Sequence, residues 1–134
     1  MIIFDDISFA YGERQVFRSF SLSLPDKVTI LEGPSGSGKT TLLKMAARLL
    51  KPQAGRISGV PERVSFTFQE NRLLPWFTAR GNVEAVLPRD RRSEAEIWLK
   101  LMELADVMDS LPGNMSGGQQ RRVDIARAMV HRPR

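Results

Sequence analysis

Cysteine is absent from these 134 residues, and histidine occurs once, at His131. Without thiols there is no disulfide framework, no thiolate zinc site and no cysteine nucleophile. A single histidine leaves little material for a histidine-ligated metal or a His-based relay, and His131 reads as a solvated helix-end residue. Long apolar runs are missing as well. Nothing approaches the roughly 18 consecutive apolar residues of a bilayer span. The opening stretch MIIFDDISFAYGERQ lacks a basic start and a long apolar core, so no secretion signal is expected and a cytoplasmic location is the default. Charge is not gathered either: the net +5 comes from 20 basic and 15 acidic residues. Residues 1–67 hold nine basic and six acidic groups, and residues 68–134 hold eleven and nine. A nucleic-acid binder concentrates its basic residues on one face or tail, so no nucleic-acid partner is expected. What is there suits one domain with a packed core: 42% of residues are hydrophobic and 26% charged.

The first thirty residues read as strands. Ile2–Phe9 and Val16–Leu24 are rich in β-branched and aromatic residues and flank a turn at Tyr11-Gly12-Glu13. Ser19, Ser21 and Ser23 alternate with Phe20, Leu22 and Leu24, which predicts one wet face. After Pro25-Asp26, the run Val28-Thr29-Ile30-Leu31 reads as a short buried strand. A glycine-rich loop and a helix over LLKMAARLL follow, the helix ending before Pro52. Gly55–Val60 and Arg63–Phe68 read as two more strands, the second with Val64, Phe66 and Phe68 on one side. Beyond Gln69 the pattern turns helical. Ser93 and Glu96 form a capping-box signature, and Ile97, Leu101, Leu104, Ala105 and Met108 predict an amphipathic helix of about four turns. A second capped helix begins at SGGQQRRVDIARAMV.

Gly33-Pro34-Ser35-Gly36-Ser37-Gly38-Lys39-Thr40 fits G-x-x-x-x-G-K-[ST], the phosphate-binding P-loop. Glycines let the main chain close around a polyphosphate, and the helix starting near Gly38 aims its positive end at the same anion. Lys39 would reach the β- and γ-phosphates, and the Thr40 hydroxyl would ligate Mg²⁺. By composition alone about one chain in two hundred of this length would match. The match also falls where a strand meets a helix, which the motif requires. A nucleoside triphosphate is the expected ligand. A P-loop alone leaves kinases, GTPases, motors and transporter ATPases open.

The discriminator is Ser116-Gly117-Gly118-Gln119. Alone it would be a helix cap or a modest anion-binding nose. Downstream of a P-loop it resembles the signature motif of the ABC (ATP-binding cassette) ATPases. Met115 replaces the family's usual leucine, a volume-conserving change, and Asp124 stands where a small apolar residue is common. Tyr11, 22 residues before Gly33, resembles the aromatic that stacks on adenine. Gln69 resembles the Q-loop glutamine that contacts Mg²⁺ and the attacking water. The segment Glu70–Trp76 with Thr78–Val83 is similar to that of bacterial nitrate/sulfonate/taurine-type importers, and Leu73, Leu74, Trp76 and Phe77 would dock a membrane subunit.

The resemblance implies an α/β P-loop fold of the ABC type, with a small antiparallel β part and a helical subdomain. The expected division is 1–69 for the β part and P-loop core, 70–114 for the helical subdomain and 115–134 for the signature motif and helix. ATP and Mg²⁺ would be held by Tyr11, by Gly33, Pro34, Ser35, Gly36, Ser37, Gly38, Lys39, Thr40 and Thr41, and by Gln69. Ser116, Gly117, Gly118 and Gln119 would serve a second ATP-binding subunit in a head-to-tail dimer. Transmembrane permease subunits would dock at 70–83, on the cytoplasmic face of the membrane, making the protein a peripheral importer subunit. The family's Walker B acid, catalytic glutamate and switch histidine follow the signature helix. The chain is therefore expected to be an N-terminal portion, truncated before the Walker B strand and marginal in isolation. Two functional readings follow: an ATPase subunit coupling hydrolysis to transport, and a non-hydrolysing nucleotide-binding or partner-docking fragment.

Overall fold

The computed structural model describes residues 1–133, and they fall into two units, residues 1–64 and 65–133. The first is built on a hairpin. β1 (Ile2–Tyr11) and β2 (Arg14–Leu24) pair antiparallel across the turn at Gly12, and β3 (Ala54–Ser58) adds to the other edge of β1. Phe4 and Ile7 are three apart and would point to opposite faces of a regular strand. Both are fully buried. The register jumps by one residue between them, and Asp6 takes a positive φ of 49°. This β-bulge turns two exposed aspartates outward and returns Ile7 to the core face. A compensating irregularity on β2 leaves Ser19 at φ 47°. The displaced amides are caught by serine hydroxyls: Asp6 N–H donates to Ser21 Oγ and Ser19 N–H to Ser8 Oγ, both at 3.0 Å. Ser19, Ser21 and Ser23 are exposed, the wet face that their alternation predicts. On the apolar face, Leu42 and Met45 of helix α1 (Lys39–Ala46) pack with Phe4, Ile7, Phe9 and Phe17.

Two expected strands are not formed. Val28 and Ile30 are 94% and 77% exposed rather than buried, and residues 28–31 pair with nothing in the three-stranded sheet. A β-branched run becomes a strand only where a neighbour supplies ladder hydrogen bonds. Residues 63–68 also stay irregular and are held by side-chain bonds rather than by a ladder. Phe68 O accepts from the Arg121 guanidinium, and Ser65 Oγ donates to Ala128 O at 2.7 Å. Phe66 and Phe68 still share a side, their rings 4.9 Å apart.

The second unit packs helices α2 (Ala79–Glu84), α3 (Glu94–Leu101) and α4 (Gly117–Met129) around Val83, Leu99, Leu104, Val123, Ala126 and Val130. The expected four-turn helix is corrected here. α3 ends at Leu101, Glu103 adopts a left-handed φ of 56°, and a short 3₁₀ turn follows at Ala105–Val107. At about 100° per residue a continuous helix would set Leu104 half a turn round from Ala95. The break lets Ala95, Leu99 and Leu104 all enter one core, while Ile97 and Leu101 face solvent. Nor does Ser93 cap α3: its backbone is helical and its side chain makes no capping bond, because a 3₁₀ turn at Arg89–Arg91 leads directly into the helix. Among the described residues no helix is long and apolar enough to cross a membrane.

Glu94 opens α3 with a bidentate grip from Arg91, at 2.7 and 2.8 Å, and a further contact from Arg132 at 3.2 Å. The Arg91 hydrogen bonds hold its carboxyl at about 2, against an ordinary 4.5. A carboxyl depressed in the folded state stabilises fully above its unfolded pKa and loses that contribution as pH falls through the folded value. Glu94→Gln is therefore expected to unfold more readily than the parent at pH 7. Their difference should shrink below about pH 4.5 and vanish near the folded-state value. A difference that denaturant titration finds unchanged down to that acid limit would contradict the assignment.

Candidate functional site

In the first unit the site is the loop between β2 and α1. Gly38 precedes the helix at φ 94°, and a Cβ there would lie 2.8 Å from Phe17 Cζ and 2.9 Å from Val16 Cγ1. Only glycine satisfies both the left-handed backbone and the closeness of the sheet. The turn is secured by Ser37 N–H donating to Pro34 O at 3.3 Å. Lys39 folds back over the loop. Its ammonium donates to Gly33 O at 2.8 Å and Pro34 O at 2.7 Å, with Ser37 Oγ at 3.5 Å. Leu42 N–H is the first to join the helical ladder, on Gly38 O at 2.8 Å. The amides of Lys39, Thr40 and Thr41 are thus first-turn donors, and no acidic side chain stands in that turn. First-turn backbone donors, a helix's positive end and the Lys39 cation lie together at this loop. The arrangement fits a polyphosphate.

A divalent cation fits less completely. Thr41 is buried, whereas Thr40 offers an exposed hydroxyl. Among the described residues no group of three or more His, Asp or Glu could hold a metal ion. Any cation at this loop would take most of its ligands from phosphate oxygens, with the Thr40 hydroxyl as the loop's own contribution.

Tyr11 ends β1, half exposed, with its ring edge-on to Phe9 at 4.9 Å. It pairs with Arg14 across the hairpin turn. A Cβ on Gly36 would lie 3.1 Å from Arg14 Nη2, so this guanidinium rests against the P-loop. The hairpin end and the phosphate loop are therefore neighbours. Sequence reasoning missed Arg14, since only the register of β1 with β2 brings it there.

In the second unit Ser116 caps α4 through a complete capping box. Ser116 Oγ accepts from Gln119 N–H at 3.2 Å, and Ser116 N–H donates to Gln119 Oε1 at 2.8 Å. Ser116, Gly117 and Gly118 are exposed at the helix start, and Met115 is buried in the core. Gln69 is exposed on a segment tied to α4 at several points. Asn71 donates to Gly117 O at 3.4 Å and Arg127 to Arg72 O at 2.8 Å. The Arg72 guanidinium in turn covers the Phe68 ring at 3.9 Å. The unit thus brings together Gln69, the 70–83 segment and Ser116–Gln119. His131 is exposed in the turn after α4.

Trp76 is 69% exposed and Phe77 40%, while Leu73 packs on the core. The loop carrying them is shaped by Asn82, which is completely buried. Its amide donates to Leu74 O, Phe77 O and Thr78 O at 3.0–3.1 Å, and its Oδ1 accepts from Leu74 N–H at 2.8 Å. Thr78 caps α2 by accepting from Gly81 N–H at 3.0 Å. Two aromatic rings are thereby held outward on a fixed backbone.

A family profile described as ABC transporter matches residues 17–134. The aliphatic sulfonates import ATP-binding protein SsuB of Albidiferax ferrireducens is 40% identical over 141 residues, covering 99% of this chain and 51% of that protein. The protein of the same name from Rhodopseudomonas palustris is 43% identical over 136 residues, covering 93% and 48%. The chain thus spans about half the length of the curated relatives it matches. A solved structure described as MJ1267, an ATP-binding cassette of an ABC transporter, matches with a TM-score of 0.84 at 24% identity, over 99% of this chain and 66% of the other. Its likeness shows the fold, an ATP-binding cassette. With the profile covering nearly its whole length, the chain belongs to the ABC transporter family.

Proposed function

We propose that this chain is the nucleotide-binding part of an ABC importer's ATP-binding subunit, and that it holds Mg·ATP on Gly33–Thr41. The Lys39 ammonium bridging two loop carbonyls above the free first-turn amides of α1 is the observation that carries the reading. On binding, Lys39 exchanges Gly33 O and Pro34 O for phosphate oxygens, and the amides of the loop and first turn donate to the same anion. Thr40 and, by the family resemblance, Gln69 would hold the cation, and Tyr11 would offer its ring to the base. Mg·ATP supplies the phosphoryl chemistry once bound. Ser116–Gln119 would face the loop of a second subunit in a head-to-tail pair. Residues 1–69, 70–114 and 115–134 would then work as core, partner-docking and signature parts. Trp76 and Phe77 suit a transmembrane permease subunit, which would hold the protein peripherally at the cytoplasmic face. The named role of the two relatives makes aliphatic sulfonates the first solute class to test.

Calorimetric titration with Mg·ATP, with adenosine as control, tests the reading. Binding of Mg·ATP without comparable binding of adenosine is expected; equal binding of both, or none, would contradict it. A second reading is a module that binds nucleotide without turnover. Phosphate release that Lys39→Ala abolishes would exclude that alternative.

A further inference from the structure

Asp124 is 4% exposed, an unusual burial for a carboxylate in the middle of a helix. It lies three residues from Arg121 and three from Arg127, so the three side chains are stepped by about 60° around α4, with the acid in the middle. Asp124 Oδ1 accepts from Arg127 Nη2 at 2.7 Å, while buried Oδ2 makes no hydrogen bond and faces Arg121 Nη1 as an ion pair at 3.5 Å. Each arginine then reaches past the acid to the irregular segment that carries Gln69. Arg121 donates to Phe68 O and approaches Thr67 Oγ1 at 3.4 Å. Arg127 donates to Arg72 O at 2.8 Å, and its other nitrogen lies 3.5 Å from Asn82 Oδ1. The two guanidinium groups thus grip the backbone on either side of Gln69, with one buried carboxylate between them.

We propose that Asp124 is a positioning residue: it aligns Arg121 and Arg127 as a two-point clamp that fixes the Gln69 segment to the signature helix. Residues 68–72 have no strand partner, so this clamp, with Asn71 on Gly117 O, is what orders them. A shift of α4 would then move Gln69 and the Asn82-shaped aromatic loop with it. The consequence for nucleotide sensing rests on the function proposed above; the clamp itself does not.

The test is made on the isotopically labelled chain without nucleotide, so that failure to bind ATP cannot be mistaken for failure of the clamp. Asp124→Asn keeps the shape and removes the charge. Backbone order parameters at 68–72 are expected to fall from about 0.85 to below about 0.6, with the helical signal of α4 retained. The Nε–Hε resonances of Arg121 and Arg127 should broaden together. Unchanged order at 68–72 with both arginine signals unmoved would overturn the proposal. If Asp124→Asn does not fold, Arg121→Gln carries the test, because its side chain is 38% exposed. It should release residues 67–69 while residue 72 stays ordered, and equal rigidity at both ends would overturn the clamp.

Discussion

Lys39→Ala is expected to weaken Mg·ATP binding by about a hundredfold while leaving the folded structure intact. The ammonium is the loop's one cation with a free stem, and its three oxygen partners all belong to the loop itself. A charged donor on a phosphate oxygen contributes roughly twice what a neutral one does. Gly33 and Pro34 are exposed, so their carbonyls turn to water when the side chain is lost, and no buried group is orphaned. Thermal unfolding of the nucleotide-free variant should therefore match that of the parent closely. Lys39→Arg should recover only part of the affinity, because a planar fork replaces a compact point charge. A Lys39→Ala chain that binds Mg·ATP as well as the parent would remove the loop from the function.

Asn82→Ala should cost about 3 kcal/mol of stability, the largest effect expected outside the glycines. The substitution takes one acceptor and two donors from a site with no exposure to water. Leu74 N–H and Phe77 O lose their partner, Leu74 O and Thr78 O keep only the backbone bonds from Phe77 N–H and Asn82 N–H, and a cavity is left between α2 and the loop. Relaxation by opening the loop would lessen the cost but release Trp76 and Phe77. Urea unfolding reads the stability, and tryptophan fluorescence anisotropy reads the loop. A loss below about 1 kcal/mol with unchanged anisotropy would show that the aromatic loop is shaped by something other than Asn82.

The parts of this protein most legible in its sequence are those whose structure is local. The P-loop follows from glycine spacing, because the backbone angle at Gly38 is a property of that residue. The Ser116–Gln119 cap forms as spelled, since both bonds close within one helical turn. The same spelling at Ser93–Glu96 fails, because Glu96 is drawn to Arg80 at 3.0 Å and Lys100 at 2.7 Å and the preceding turn is already helical. Strands were harder. β1 and β2 find each other through a hairpin, while 28–31 and 63–68 have equal propensity but no ladder. Periodicity also misjudged the helix after residue 94. Ile97 and Leu101 looked like its inner face, yet Ala95 and Leu99 are buried instead.

The polar residues of the site were the least legible. Asp124 read only as a departure from the family's small apolar residue; its two arginine partners on α4 and the segment they hold appear only in three dimensions. Arg14 and Asn82 are of the same kind. Their types are common on any surface, and what distinguishes them is position against Gly36 or beneath an aromatic loop.

The most direct test of the central claim is an amide chemical-shift titration of the labelled chain with Mg·ATP, repeated with adenosine. The expected result is that shifts concentrate at Gly36 through Thr41 with Mg·ATP and are absent there with adenosine, while Tyr11 responds to both. Shifts from Mg·ATP that leave Gly36 through Thr41 unmoved would contradict phosphate binding by this loop.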